Sequence, residues 1–172
     1  MDIQQTIHNR QSIRAFQNKP VEKQLIEQLL SLCHKAPSAG NLQARDFIII
    51  DDHHIKQKLS LAAHNQQMLL QAPVVIAICA NLQRIKPYGK RGEQLYCIQD
   101  ATAAVDHLLL LATSVGLATC WIGAFDEKQV QSILHLPLFI KPVALIPMGY
   151  ADEQPKKTKR IPLPKLVHYN TW

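Results

Sequence analysis

Apolar positions recur along this chain at two spacings, and the spacings divide it into helices and strands. Residues 2–9 are short and helix-compatible. They lead into Arg10-Gln11-Ser12-Ile13-Arg14-Ala15-Phe16, where Ser12, Arg14 and Phe16 alternate with Gln11, Ile13 and Ala15 until Pro20. From Val21, Leu25, Leu29, Leu32 and Cys33 recur at helical steps, with Ile26 and Leu30 widening the stripe. That is an amphipathic helix, and Pro37 ends it because the residue before a proline is pushed out of the α region. Pro37-Ser38-Ala39-Gly40-Asn41 has turn chemistry. Phe47-Ile48-Ile49-Ile50 predicts a short strand and residues 54–70 a second helix, broken by Ala72-Pro73. Val74-Val75-Ile76-Ala77-Ile78-Cys79-Ala80 has no polar alternation, the mark of a strand covered on both faces.

Beyond it the pattern changes. Residues 82–94 scatter Arg84, Lys86, Lys90 and Arg91 among Pro87, Gly89 and Gly92, which predicts a mobile basic loop. Ile98, Ala101, Val105, Leu108, Ala112 and Val115 then define a helix apolar on most sides, the buried central one, with Gly116 placed as its C′ residue. Residues 118–122 predict a strand ending at Gly123-Ala124, and Asp126 with Gln129 resembles a capping box opening a short helix. Pro142-Val143-Ala144-Leu145-Ile146-Pro147-Met148-Gly149-Tyr150 predicts a last buried strand. No repeat or long linker divides the chain, so residues 1–172 read as one α+β domain. In residues 151–172, Ile161, Leu163, Leu166, Val167, Tyr169 and Trp172 are too apolar for a solvated tail. Pro155, Pro162 and Pro164 keep them extended, which predicts an arm docking on the chain's own body or on a partner subunit.

Composition narrows the class. The 172 residues are 47 % hydrophobic and 19 % charged, as in a folded globular protein. No apolar run reaches the roughly 18 residues a bilayer crossing needs, and the N-terminus has no export signal. The expectation is a cytoplasmic protein without a membrane partner. Cys33, Cys79, Cys97 and Cys120 contain no C-x-x-C pair and read as free thiols. Only His53 and His54 among the eight His are adjacent, and neighbours on a helix point apart, so no metal site is expected. The net charge of +6 favours an anionic partner without naming it.

No phosphate loop, dinucleotide fingerprint, nucleophile elbow or glycosidase-type carboxylate pair is visible. An enzyme with this sequence would use its side chains as binders and leave the chemistry to a cofactor. Two basic clusters could hold a phosphate. In one, Arg10 and Arg14 flank Ser12; the other is Lys156-Lys157-Thr158-Lys159-Arg160. Arginine suits bidentate contact with phosphate oxygens; a solvated basic face is an equal alternative for the first cluster and the favoured one, on composition, for the tail cluster. A nucleic-acid surface is disfavoured, since aromatics are 6 % and do not interleave the charges.

Four blocks, in order, resemble the FMN-dependent nitroreductase family. They are Arg10-Gln11-Ser12-Ile13-Arg14-Ala15-Phe16 followed by Pro20-Val21, and Ala36-Pro37-Ser38-Ala39-Gly40-Asn41-Leu42-Gln43. The third is Gly116-Leu117-Ala118-Thr119-Cys120-Trp121-Ile122-Gly123-Ala124-Phe125. The last is the stretch from Pro142 to Tyr150 with Arg160-x-Pro162-Leu163. The resemblance implies a three-layer α/β/α sandwich with a central mixed sheet, working as an intertwined homodimer with one FMN at each of two subunit interfaces. It implies that Arg10, Ser12 and Arg160 hold the FMN phosphate, with Lys159 assisting. It places Arg14 at the flavin N1/O2 edge, where a cation stabilises the reduced ring. Pro37, Ser38 and Ala39 correspond to the partner's segment against the isoalloxazine, and Asn41 and Gln43 to polar contacts at flavin or substrate. Asn65 falls at the pyrimidine edge, and Gly123, after Ile122, at the turn whose N–H faces N5. On their own, residues 37–41 and Gly123 are ordinary element-ending turns. The implied reaction is ping-pong hydride transfer from NADPH or NADH through N5 to a small electron-poor acceptor, of nitroaromatic or quinone type.

Three departures stand out. Gln11 replaces a commonly basic residue, Ala44-Arg45 stands where the family commonly has Pro-Trp, and the variable middle is reduced to residues 82–94. Tyr88 and Arg91 in that segment are candidates to cover the site and select an anionic substrate or NADPH. Dehalogenation, enone reduction and flavin breakdown on the same fold are alternative chemistries. A non-enzymatic FMN- or nucleic-acid-binding protein is the alternative of another class.

Overall fold

In the computed structural model, which describes residues 1–155 and 158–172, Asp2 opens the first helix by accepting a hydrogen bond from Gln5 N (2.8 Å). This is α1 (Ile3–Asn9). α2 (Lys23–Cys33) turns Ile26, Leu29 and Cys33 to the core and ends before Pro37. A 3-10 turn (Ala39–Asn41) leads into β1 (Arg45–Ile50). The helix expected over residues 54–70 is two: α3 (His53–Ala62) and α4 (Met68–Gln71). Between them His64 and Asn65 have φ of 58° and 62°, and consecutive left-handed residues cannot continue a right-handed helix.

β2 (Val74–Asn81) is buried at every position. The expected loop over residues 82–94 is mostly helical. A 3-10 turn (Lys86–Tyr88), α5 (Gly89–Arg91) and a π-helical turn (Gly92–Tyr96) run into α6 (Cys97–Ser114). Gly92 permits this, because a Cβ there would lie 2.7 Å from Tyr88 Cβ and 2.9 Å from the Ile85 carbonyl. The helical stretch Lys86–Ser114 is long and apolar enough to cross a membrane, but Ala101, Ala104, Val105, Leu108 and Ala112 are fully buried within the protein. Gly116, at φ 80°, follows the helix end. The expected strand over residues 118–122 shrinks to β3 (Ala118–Thr119) and an Ile122–Leu145 bridge. α7 (Glu127–Ile133) is capped by Asp126, whose carboxylate accepts Gln129 N at 3.0 Å and the Gln129 amide at 3.1 Å. β4 (Ile140–Gly149) closes the sheet.

Strand order is β1-β2-β4-β3, and every ladder is antiparallel. The expected mixed sheet is therefore antiparallel throughout its strands, with a Ser12–Thr119 bridge as its parallel pairing. β4 carries two prolines although it is internal. Pro142 pairs with Cys79 beside a register shift, Ile78 being opposite Ala144, so the ladder is already interrupted there.

Alternation sorts the two central strands onto two cores. Ile76, Ile78, Ala144 and Ile146 face α2 and α6, while Val75, Ala77 and Leu145 face Leu59, Leu69 and Val130 of α3, α4 and α7. Helices thus cover both faces, as the three-layer expectation requires. The arm differs: Ile161, Leu163, Leu166, Val167, Tyr169 and Trp172 are all exposed, Trp172 completely. Residues 151–153 pair with the ribbon around Ala15, whereas residues 158–172 do not dock on the chain's own body.

Candidate active site

The first basic cluster extends the β3 edge of the sheet. Ser12 bridges Thr119, and Ile13 N donates to the Thr119 carbonyl at 2.9 Å. Two residues on, the ribbon pairs with the end of β4. Gln17 N donates to the Tyr150 carbonyl and Asp152 N to the Ala15 carbonyl, both at 2.9 Å. The Glu153 carboxylate accepts the backbone N–H groups of Arg14 and Ala15. Burial of Ile13 and Phe16 anchors the ribbon, leaving Arg10, Gln11 and Ser12 half-buried and Arg14 exposed. Among the described residues no carboxylate forms a salt bridge with Arg10 or Arg14. Two guanidiniums beside a hydroxyl are a donor set chemically suited to an anion. Behind them lies Cys120, whose thiol is pushed up by burial while Arg14, Ser12 and Arg10 pull it the other way.

Gly123 lies farther along the same edge and is exposed. A Cβ there would meet only Trp121 Nε1, at 3.7 Å, so the chain's own packing does not require a glycine. Ile122, just before it, is buried and paired with Leu145. Asn65 is brought alongside by its neighbour, since the Gln66 amide donates to the Ala63 carbonyl at 3.0 Å and to the Ala124 carbonyl at 3.1 Å. The edge thus gathers Arg10, Gln11, Ser12, Arg14, Asn65, Ile122 and Gly123.

The second constellation is the turn before β1. The Arg45 guanidinium, almost wholly buried, donates to the carbonyls of His34 (2.9 Å), Ala36 (2.6 Å), Pro37 (3.1 Å) and Asp100 (3.1 Å). The buried Asp100 carboxylate accepts Ala39 N at 2.9 Å and Ala44 N at 3.2 Å. Ser38 Oγ accepts Gln43 N at 3.1 Å. Asn41 and Gln43 have φ of 57° and 50°, and the Gln43 amide turns back to the Asn41 carbonyl at 2.6 Å. Tyr88 closes over Gly40, where an added Cβ would lie 2.5 Å from its hydroxyl. Tyr96 stands edge-on to Tyr88 and accepts a hydrogen bond from Arg91 Nε at 2.9 Å. Pro37, Ser38, Ala39, Asn41, Gln43, Tyr88 and Arg91 therefore form one patch.

The two constellations do not meet within one chain. The turn enters at the β1 edge and the basic ribbon lies one position beyond β3, so four interstrand spacings, about 19 Å, separate them. Lys159 and Arg160 are exposed and, among the described residues, make no hydrogen bond or salt bridge with Arg10, Ser12 or Arg14. Lys156 and Lys157 lie outside the described residues. Sequence reasoning passed over Arg45, Asp100 and Glu153 as supports. Asp100 alone carried a signal, as a carboxylate on the apolar stripe of α6 with Cys97, Ala101 and Ala104.

The nitroreductase family model matches residues 7–67 and 60–150, which span both constellations. An NADH dehydrogenase of Thermus thermophilus is 30 % identical, over 97 % of this chain and 95 % of its own length. An FMN reductase (NAD(P)H) of Bacillus subtilis is 26 % identical over 99 % of this chain and 74 % of its own. The crystal structure of nitroreductase A from Vibrio parahaemolyticus matches with a TM-score of 0.92 and 28 % identity, covering 100 % of this chain and 77 % of that one. Sequence, fold and the order of the motif blocks agree from the basic ribbon to the last strand: this chain belongs to the nitroreductase family, whose members are FMN-dependent NAD(P)H oxidoreductases.

Proposed function

We propose that this protein takes hydride from NADPH or NADH and delivers it, through FMN, to an electron-poor acceptor of nitroaromatic or quinone type, the two substrates using one site in turn. The observation that carries this reading is the division of the site. The basic edge and the clamped turn are both partly exposed and lie at opposite edges of the sheet, so a two-fold copy could bring the turn of one chain to the edge of the other. The functional unit is then a homodimer with two shared sites, and the bare apolar end of the arm, residues 158–172, docks on the partner subunit.

The residues suit FMN in kind. Arg10 and Ser12 offer charge-assisted donors to a phosphate, with no salt bridge to Arg10 among the described residues, and the open surface at Gly123 lets a flat ring approach the backbone closely. When bound, FMN supplies a ring that accepts and returns hydride at N5. Arg14 offers positive charge beside the ring, which favours its reduced, anionic form. Asn65 and Ser38 orient the ring, Asn41 and Gln43 line the turn, and Lys159 and Arg160 close on the phosphate from the arm. No side chain needs to act as general acid or base, so rate follows stacking distance and flavin potential.

The purified protein should show oxidised-flavin absorption bands that bleach anaerobically with NADPH or NADH and return on adding a nitroaromatic or quinone. Arg10→Ala should weaken FMN binding roughly tenfold to a hundredfold, the range expected for one charge-assisted hydrogen bond of about 1.5–3 kcal/mol. A colourless protein that cannot be reconstituted with FMN would overturn the reading.

A further inference from the structure

The turn at residues 36–44 is held by two buried charges that do not form a salt bridge with each other. Arg45 takes carbonyls from its inner side, and Asp100 takes its N–H groups. Four of the five guanidinium N–H groups are bonded, while Nε is buried without a partner. Burying a guanidinium costs free energy, and leaving one of its donors unpaired adds to that cost. A well-packed apolar residue at position 45 would stabilise the fold at least as well. Yet the outer surface of the turn, at Pro37, Gly40 and Asn41, is exposed and buries little. The arrangement contributes little to the core; what it determines is the shape of an exposed turn.

We propose that Arg45 and Asp100 are positioning residues for the cofactor. They preset the turn as a rigid wall on which the flavin ring seats, so that flavin affinity and potential both depend on them. The proposal rests on the reading above. Arg45 acts on His34, Ala36 and Pro37, and Asp100 on Ala39 and Ala44, so the clamp brackets Ser38 and Gly40 from both sides. Burial lowers the Arg45 guanidinium from its usual value, and Asp100 opposes that shift. Lysine keeps the charge but presents one compact ammonium and cannot span four carbonyls. Asparagine at position 100 keeps the shape but loses the charge and one acceptor.

The test compares wild type with Arg45→Lys and Asp100→Asn, each checked for folding by far-ultraviolet circular dichroism. Both variants should bind FMN at least tenfold more weakly and shift the midpoint potential of the flavin that does bind. Amide hydrogen exchange of Ala39 and Ala44 in the FMN-free protein should accelerate. A merely structural role would lower the melting temperature and leave the potential of bound flavin unchanged, which would overturn the proposal. Where one variant does not fold, the other carries the comparison, and Asp100→Glu should restore part of the affinity. Wild type that binds FMN while the variants bind equally well refutes the clamp alone. Wild type that binds no FMN refutes the underlying reading as well.

Discussion

Gly40 shows how much one residue decides. It sits at φ 54° with Tyr88 packed against its α-carbon, so a side chain there faces both backbone strain and a displaced aromatic ring. Gly40→Ala should destabilise the protein by about 1 kcal/mol or more, read as a lower urea midpoint at constant slope. An unchanged midpoint would mean that Tyr88 does not pack there. The same contact explains why the turn was only partly legible in the sequence. Pro37-Ser38-Ala39-Gly40-Asn41 announces a turn through local preferences. The Tyr88 that covers it comes from far along the chain, and no spacing rule connects the two. Arg45 is a sharper instance: it looks like a misplaced charge until four carbonyls are seen around it.

Among the elements, helices and strands with a strong apolar period came through in the sequence, and their interruptions did not. α6 and β2 follow from their patterns almost to the residue. The break between α3 and α4 does not, because His64 and Asn65 adopt left-handed geometry around a Gln66 amide that reaches Ala124, a tertiary contact. The segment over residues 82–94 misled for a related reason. Pro87, Gly89 and Gly92 signal a loop, but packing of Ile85 and Tyr88 winds it into helical turns that continue α6. The result carries Lys86, Lys90 and Arg91 as a basic rim on helical turns whose Tyr88 packs against Gly40. If that rim meets the phosphates of the reductant, Lys90→Ala with Arg91→Ala should raise the KM for NADPH at least severalfold and leave FMN binding unaltered. Steady-state kinetics with NADPH and NADH would show it, and an unchanged NADPH KM would remove the rim from substrate binding.

The isolated chain leaves two kinds of surface bare. One is the divided site, and the other is the arm, with Tyr169 85 % exposed and Trp172 fully so. In the proposed homodimer a single partner, a second copy, would cover both. The protein should sediment at about twice its 19.4 kDa chain mass. Removing residues 158–172 should weaken the dimer and FMN retention together, since each site would draw on both chains. A monomeric full-length protein that retains FMN would contradict the shared site.

What the sequence determined by itself is whatever depends on neighbours along the chain. Apolar periods specify the helices and strands, charge and turn chemistry specify the two clusters, and the ordered motif blocks carry the family resemblance. What only the tertiary structure decided is whatever depends on contacts between distant segments. The strand order placed the basic ribbon and the turn at opposite sheet edges. Arg45 and Asp100 became a clamp only once α6 lay beside the turn. The physical reason is the same in each case: periodicity and propensity are local, whereas the pairing of buried polar groups is settled by which segments the folded core brings within hydrogen-bond reach.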